Sequence, residues 1–368
     1  MKQIILDIAK NMNIENIGFT NVLNFGYLEN MLKERAKNNY NNEFEESDMK
    51  KRLDVKSVFP KCKSIIAIGF PYAEGYKSIN STDKGLISVV SHGEDYHIKL
   101  KKLLYNFAIR IKEHINFEYM VCVDTSPLID REICKNAGIG SYGKNSLLIN
   151  ENMGSFMNLG YILTDLELEI EIENNNFENI DICNDCDICG RNCPNNAISK
   201  EGGINTKRCV SYLTQTKTYI PFEYRKNMRN QIYGCDICQL VCPKNKKILQ
   251  MKSENDYSEL IIDLNELLTM TNTDFNKKYG SLSGSWRGKN VWKRNGIISI
   301  ANLDMKSMFY NLRDELNNTS DMIKIYSAWS LMILNKQKAS ELLNCNIKYE
   351  NDIIKNEYKK LLESEKLC

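Results

Sequence analysis

Apolar residues recur at helical spacing from the start of the chain. In "MKQIILDIAKNMNIENIGF", Ile4, Ile5, Ile8 and Met12 share one helical face with charges between them. This predicts an amphipathic helix and not the unbroken apolar core of a secretion signal. The period then shortens. "SIIAIGFPY" (64–72) and "YMVCVD" (119–124) are brief apolar runs that predict buried strands, the first ended by proline. Between them, "DYHIKLKKLLYNFAIRIKEHI" (95–115) returns to helical spacing and predicts a crossover helix, so residues 1–170 are expected to form an α/β domain. "ENNNFENID" (173–181) has little to bury and reads as a linker into a cysteine-rich segment, 171–250. Residues 251–368 read as helical. "NVWKRNGIISIANL" (290–303) and "MIKIYSAWSLMIL" (322–334) carry similar small-and-apolar faces, consistent with paired helices of the HEAT type. The expected fold class is therefore α+β and multidomain.

Composition narrows the class. At 368 residues, 42% hydrophobic and 26% charged, the chain is of ordinary globular make-up and long enough for two or three domains. No run approaches the ~18 apolar residues of a membrane span, and a cytoplasmic protein is expected. The net charge of +2 conceals an uneven distribution. Asp165 to Asp187 holds nine acidic residues and no basic one, whereas Lys200 to Gln250 holds ten Lys or Arg against three acids. Arg287, Lys289, Lys293 and Arg294 follow. Such local excess points to a polyanionic partner.

Thirteen cysteines in a chain expected to be cytoplasmic point to metal before disulfides. Cys62, Cys122, Cys134, Cys345 and Cys368 are isolated and read as small buried hydrophobes or a tail thiol. The other eight form two groups. Cys183, Cys186, Cys189 and Cys193-Pro194 follow the C-x2-C-x2-C-x3-C-P run of bacterial ferredoxins, in which the fourth thiolate crosses to a second [4Fe-4S] cluster. Cys209 and then Cys235, Cys238 and Cys242-Pro243 complete the pair. Crossing assigns Cys183, Cys186, Cys189 and Cys242 to one cluster, and Cys193, Cys209, Cys235 and Cys238 to the other. Zinc held by two CxxC pairs is the alternative, but it uses fewer of the thiols. Cys209 stands 26 residues before Cys235, and the basic insertion between them is not needed for electron carriage alone.

That insertion with its flanks, "CVSYLT" to "IYGCDICQLVCPKN", together with "VDTSPLIDREICKNAGIGSYGKNSLLI" (123–149), "GEDYH" (93–97) and "WRGKNVWKRNGIISIANL", resembles the epoxyqueuosine reductases of the QueG family. The resemblance implies reduction of epoxyqueuosine to queuosine at the tRNA wobble position, the last step of queuosine biosynthesis, with cobalamin and two [4Fe-4S] clusters. It implies a cobalamin domain related to that of reductive dehalogenases over 1–170, a ferredoxin-type domain over 171–250 and a HEAT-like tRNA-binding region over 251–368. A ferredoxin or flavodoxin would supply electrons, and a monomer is expected.

The resemblance also implies residue roles. Asp124 of "VDTSP" would be the general acid near the cobalt, its pKa raised at a strand end; the plain alternative is an ion pair with Arg131 or Lys144. Corrin contacts would come from Arg52, Ser91, Asp124, Lys144, Ser146, Leu148, Leu159 and Ser211. "DYHIKL" lacks the glycine of a D-x-H-x-x-G ligand motif, so a base-off cofactor without a histidine ligand is expected. His97 taken alone reads as a helix-face or core histidine. Phosphate contacts are expected from Lys217, Lys226, Arg229, Arg287, Lys293 and Arg294. Ser141, "SHG" (91–93) and Lys244 depart from the family pattern. Two rivals share parts of this chemistry: a cobalamin reductase of a small organic substrate and a two-cluster electron carrier.

Overall fold

A computed structural model describes residues 1–22, 24–170 and 182–364. The linker expected at 173–181 and Cys368 lie outside them. The chain packs as two compact units that interleave in sequence: 1–77, 94–207 and 237–255 form the first, and 78–93, 208–236 and 256–368 the second. The three consecutive segments expected from the sequence are therefore not the packing units. A small sheet accounts for part of the exchange, because Gly85–Ile87 pairs with both Gln231–Tyr233 and Ile261–Ile262 and so draws residues 78–93 into the second unit.

The first unit is built on a four-stranded sheet of β1 (Ile17–Asn21), β2 (Ser64–Pro71), β3 (Tyr119–Cys122) and β4 (Met157–Thr164), in the order β1-β2-β4-β3. Every pairing is antiparallel. The expected crossover is present but split: β2 and β3 run parallel to each other, with β4 inserted between them. The buried run in β2 follows from cover on both faces. Ile66 and Ile68 join Ile5, Leu104, Phe107 and Ile162 in one core, and Ile65 and Ala67 join Phe25, Leu53, Ile133 and Tyr161 in the other. The first core lies under α1 (Lys2–Asn11) and α2 (Tyr96–Lys112). In α1 the buried face is Ile5, Ile8 and Ala9; Ile4 turns 40% of its surface outward, a correction to the expected face. In α2, Leu100, Leu104, Phe107, Ala108 and Ile111 keep the three-and-four spacing of a packed helix. The second core lies under α3 (Asp130–Asn136).

Two of the cysteine-bearing stretches, 183–193 and 237–243, belong to this unit and form short turns, with helical turns at Ile188–Arg191 and Ile237–Leu240. Asn245, wholly buried after Cys242-Pro243, anchors them. Its Nδ2 donates to Gln239 O at 2.7 Å and Ser155 Oγ at 2.9 Å, and its Oδ1 accepts from Ser155 N at 2.6 Å. Gly154 permits this approach: its φ is +59°, and a Cβ there would sit 1.9 Å from Asn245 Oδ1.

The second unit is mostly helical: α4 (Lys289–Asn302), α5 (Asp321–Leu334), α6 (Lys336–Asn346) and α7 (Asp352–Glu363), with α5 packed against the other three. The sequence predicted α4 as amphipathic. It is buried from Val291 to Ala301 on all sides, and its polar residues are used inward. Among the described residues, no helix is long and apolar enough to cross a membrane.

Candidate active site and iron-sulfur ligands

Asp95 caps α2, accepting the backbone N–H of His97 at 2.9 Å. The cap fixes the first turn and so aims Tyr96 and His97 at the loop after β3. Tyr96 OH donates to Asp124 Oδ2 at 2.6 Å, and His97 Nε2 lies 3.3 Å from the same oxygen. The other ring nitrogen, Nδ1, is 2.7 Å from Asp95 Oδ1, and the two rings stack with centroids 4.0 Å apart. Asp124 has a φ of 50°, an unusual conformation for a residue with a side chain, and its side chain is 59% exposed.

Carboxylates on both ring nitrogens favour the doubly protonated imidazole. Desolvation lowers the His97 pKa, but hydrogen bonds to Asp124 and Asp95 and their charges outweigh it, so the group sits above its usual value. For Asp124, desolvation acts upward, and bonds from His97 and Tyr96 with the charges of His97 and Arg131 overcome it. The carboxyl is held below its ordinary value. This corrects the expectation of a raised acid: the surroundings of the pair favour an ionised Asp124 and a protonated His97. Neither proposed ion pair is the main contact. Arg131 acts on Asp124 by charge but donates Nη1 to Ser146 O at 2.5 Å, and Lys144 Nζ donates to Asn184 O at 2.8 Å.

A second carboxyl, absent from the sequence reading, holds the loop. Tyr161 OH donates to Asp130 Oδ1 at 2.6 Å and meets Ser126 Oγ at 2.5 Å, tying residues 126–130 to β4. Burial pushes Asp130 up to about 6 against those bonds, and the charge of Asp124 adds to the rise.

The expected corrin residues divide. Asp124 and Ser146 both meet Arg131 in the first turn of α3, by charge and by hydrogen bond, and Leu159 lies on the sheet face it shares with Tyr161. Asp124 is exposed and Ser146 and Leu159 are partly exposed, which fits contact with a large apolar ring system bearing polar edges. Leu148 is 3% exposed and belongs to the core. Arg52 donates to Glu45 Oε2 at 2.7 Å. Ser211 lies in the second unit and is partly exposed. Ser91, also in that unit, is 1% exposed and bonded to Ser283 Oγ at 3.0 Å, so it has no surface left for a cofactor and leaves the expected set.

The cysteines of the first expected cluster are brought together. Burial raises the Cys189 thiol, with Cys183, Cys242 and Cys186 adding through their charge; burial likewise raises Cys242, with Cys183 and Cys186 adding. Lys144 N donates to Cys183 Sγ at 3.4 Å. Four thiols close enough to act on one another by charge, with a backbone donor to one of them, suit the thiolate set of a cubane cluster. Among the described residues, no three Cys, His, Asp or Glu side chains converge on a single-ion site. Of the second set, Cys193 and Cys238 belong to the first unit and Cys209 and Cys235 to the second. Cys193 Sγ accepts from Ala197 N at 3.2 Å. The isolated Cys62, Cys122 and Cys134 are buried, and burial raises all three thiols, as inert core cysteines require, whereas Cys345 is exposed and is not the buried hydrophobe expected.

The basic residues of the second unit also divide. Lys217, Lys226 and Arg229 are exposed, and Arg287 is half-buried. Arg294 is wholly buried, its Nη1 on Thr216 O at 2.5 Å and Nη2 on Leu213 O at 2.8 Å. Lys293 is 6% exposed and paired with Glu315 at 2.8 Å. Neither reaches solvent, so both are removed from the expected phosphate contacts. Asn295 and Asn302 add donors to the carbonyls of Thr214, Ile232, Arg225 and Arg229, so α4 grips the backbone of the basic insertion.

Residues 52–125 match the family described as epoxyqueuosine reductase QueG, DUF1730, and residues 182–245 match a 4Fe-4S double cluster binding domain. The chain is 34% identical to the epoxyqueuosine reductase of Staphylococcus aureus over all of its length and 97% of that protein. It is 36% identical to that of Lactococcus garvieae over 90% of this chain and 95% of the other. A crystal structure of epoxyqueuosine reductase with an epoxyqueuosine-modified tRNA-Tyr stem loop superposes with a TM-score of 0.88 at 32% identity, covering 98% of both chains. One from Streptococcus thermophilus gives 0.87, with the same identity and coverage. With these relatives spanning nearly all of its length, the chain belongs to the epoxyqueuosine reductase family.

Proposed function

We propose that this chain reduces epoxyqueuosine in tRNA to queuosine, with Asp124 delivering the proton that lets the epoxide oxygen leave. The observation that carries this is the array Asp95–His97–Asp124–Tyr96, set on a capped helix turn beside an exposed carboxylate. Net reduction adds two electrons and two protons to the epoxide, breaks both of its C–O bonds, and releases an alkene and water. Cobalamin, bound base-off and charged through two [4Fe-4S] clusters, would supply the electrons at the epoxide carbon. Asp124, Ser146 and Leu159 would border it, while Lys144 N–H would hold a sulfur ligand of the nearer cluster. The clusters would take Cys183, Cys186, Cys189 and Cys242, and Cys193, Cys209, Cys235 and Cys238.

Both protein bonds to Asp124 fall on Oδ2, so a proton from His97 reaches the carboxyl at that oxygen. As charge develops on the departing oxygen, His97 gives its proton to Asp124 Oδ2, which passes it on, and solvent supplies the second proton of the water released; Tyr96 and Asp95 hold the two groups in line. Arg131 remains as the fixed positive charge beside the carboxylate. The exposed Lys217, Lys226 and Arg229, with Arg287, would meet phosphates of the anticodon arm, presented by a HEAT-like stack of α4 to α7. Ferredoxin or flavodoxin, a cytoplasmic setting and a monomeric enzyme complete the reading. Mass analysis of tRNA from a strain lacking the gene should show epoxyqueuosine accumulating in place of queuosine; unchanged queuosine would sink the reading.

A further inference from the structure

Trp286 is 56% exposed, whereas the chain's other two tryptophans, Trp292 and Trp329, are wholly buried. An exposed indole leaves a large apolar face in water, and this one is held there by a rigid support. It sits in the 3-10 turn Ser283–Arg287. Trp292 Nε1 donates to Gly284 O at 2.8 Å, and a Cβ at Gly284 would lie 2.6 Å from the Tyr233 ring, so only glycine permits this packing. The Arg287 guanidinium lies 4.6 Å from the Trp286 ring centre, and Arg287 Nε is fixed on Gln215 O at 2.6 Å. Two residues beyond Gln215 the chain presents Lys217, then Tyr219, which is 45% exposed. The Arg287–Gln215 bond thus ties the turn before α4 to the insertion, and of these two exposed rings Tyr219 already carries the Arg225 and Lys360 cations while Trp286 carries Arg287. Cations alone would serve a duplex backbone. Interleaved rings serve unpaired bases, each of which offers a π-face.

We propose that Trp286, backed by Arg287, is a stacking platform for an unpaired base of the anticodon loop. The inference rests on tRNA being the substrate and adds the residue that reads the loop as single-stranded. Arg287 orders the ring and places positive charge where the base's phosphate would lie; Trp286 supplies the stacking surface. The turn needs no rearrangement, because Trp292 and Gly284 already fix it.

The test uses the anaerobic holoenzyme and two labelled RNAs: an anticodon stem-loop, and the same stem closed by a short stable loop. Binding is followed by anisotropy. Trp286→Ala should weaken stem-loop binding by about tenfold and Trp286→Phe by no more than about threefold, as stacking energies of bases on aromatic side chains imply. Iron and corrin content and the salt dependence should not change in either variant. The closed stem should bind both variants as it binds the unsubstituted enzyme. Unchanged stem-loop affinity in Trp286→Ala, or equal losses on both RNAs, would overturn the platform. If the unsubstituted enzyme bound neither RNA, the tRNA reading would fall first and the platform with it.

Discussion

His97 Nε2 lies 3.3 Å from Asp124 Oδ2, and the opposite ring nitrogen is engaged by Asp95 at 2.7 Å. One imidazole thus bridges two carboxylates, and on the proposed reading it holds the proton that Asp124 would deliver.

This sets a pH dependence. The folded-state pKa of His97 is raised, so its charge is fully present below the ordinary histidine value and is lost as pH rises through the raised one. Any stability it gives the α2 start follows the same sense. Turnover is expected to be level on the acid side of that pKa and to fall as pH rises through it. His97→Gln should remove this limb and lower kcat by about tenfold or more, with cofactor content unchanged. A pH–rate profile of the variant that kept the limb would contradict the proton store.

Metal content tests the thiol assignment. Anaerobically isolated protein should hold about eight iron and eight labile sulfide, the content of two cubane clusters. Cys242→Ala should lose the cluster built on Cys183, Cys186 and Cys189, and Cys209→Ala the other, each removing about half of the iron. Zinc in their place, or no loss from Cys209→Ala, would contradict it.

Buried and exposed basic residues in the second unit should behave differently. Burial lowers Arg294 to about 10, so it remains charged at neutral pH while holding the Thr216 and Leu213 carbonyls. Arg294→Met should cost about 2–5 kcal/mol of stability, seen in denaturant unfolding, by leaving those carbonyls unpaired. Lys226→Gln and Arg229→Gln, both on exposed side chains, should leave stability nearly unchanged. Each should make the dependence of log affinity for a tRNA anticodon arm on log salt shallower by about one.

Gly154→Ala should act on the iron-sulfur region without touching a ligand. A side chain at φ +59° is strained, and its Cβ would displace Asn245, which holds the turn after Cys242. Stability should fall by more than about 1 kcal/mol, with loss of iron from the first cluster ahead of global unfolding. Retained iron and unchanged unfolding would show the contact to be dispensable.

β2, β3, α2 and the cysteine grouping were legible because period and spacing are local properties of the chain, whereas β1 fell partly within the stretch read as helix. β4, the strand inserted between β2 and β3, was not read, since only pairing partners distant in sequence reveal it. Asp130 and Tyr161 escaped for the same reason: they meet across 31 positions. Lys293 and Arg294 were expected at the surface and are buried. A run of charge on a helix usually faces solvent, but here backbone carbonyls of the insertion supply the partners, and nothing in the run itself marks that. His97 could have been found, because an aspartate two residues ahead of it is a helix cap that orients the ring.

The most direct test is single-turnover reduction of an epoxyqueuosine-containing stem-loop by anaerobic Asp124→Asn enzyme, followed by nucleoside mass spectrometry. Asparagine keeps the size and most of the contacts of Asp124 but cannot pass a proton from His97. Iron, sulfide and corrin should be retained while the rate of queuosine formation falls by about 10²–10⁴, the usual contribution of a positioned general acid. Near-normal queuosine formation with cofactors retained would contradict the account.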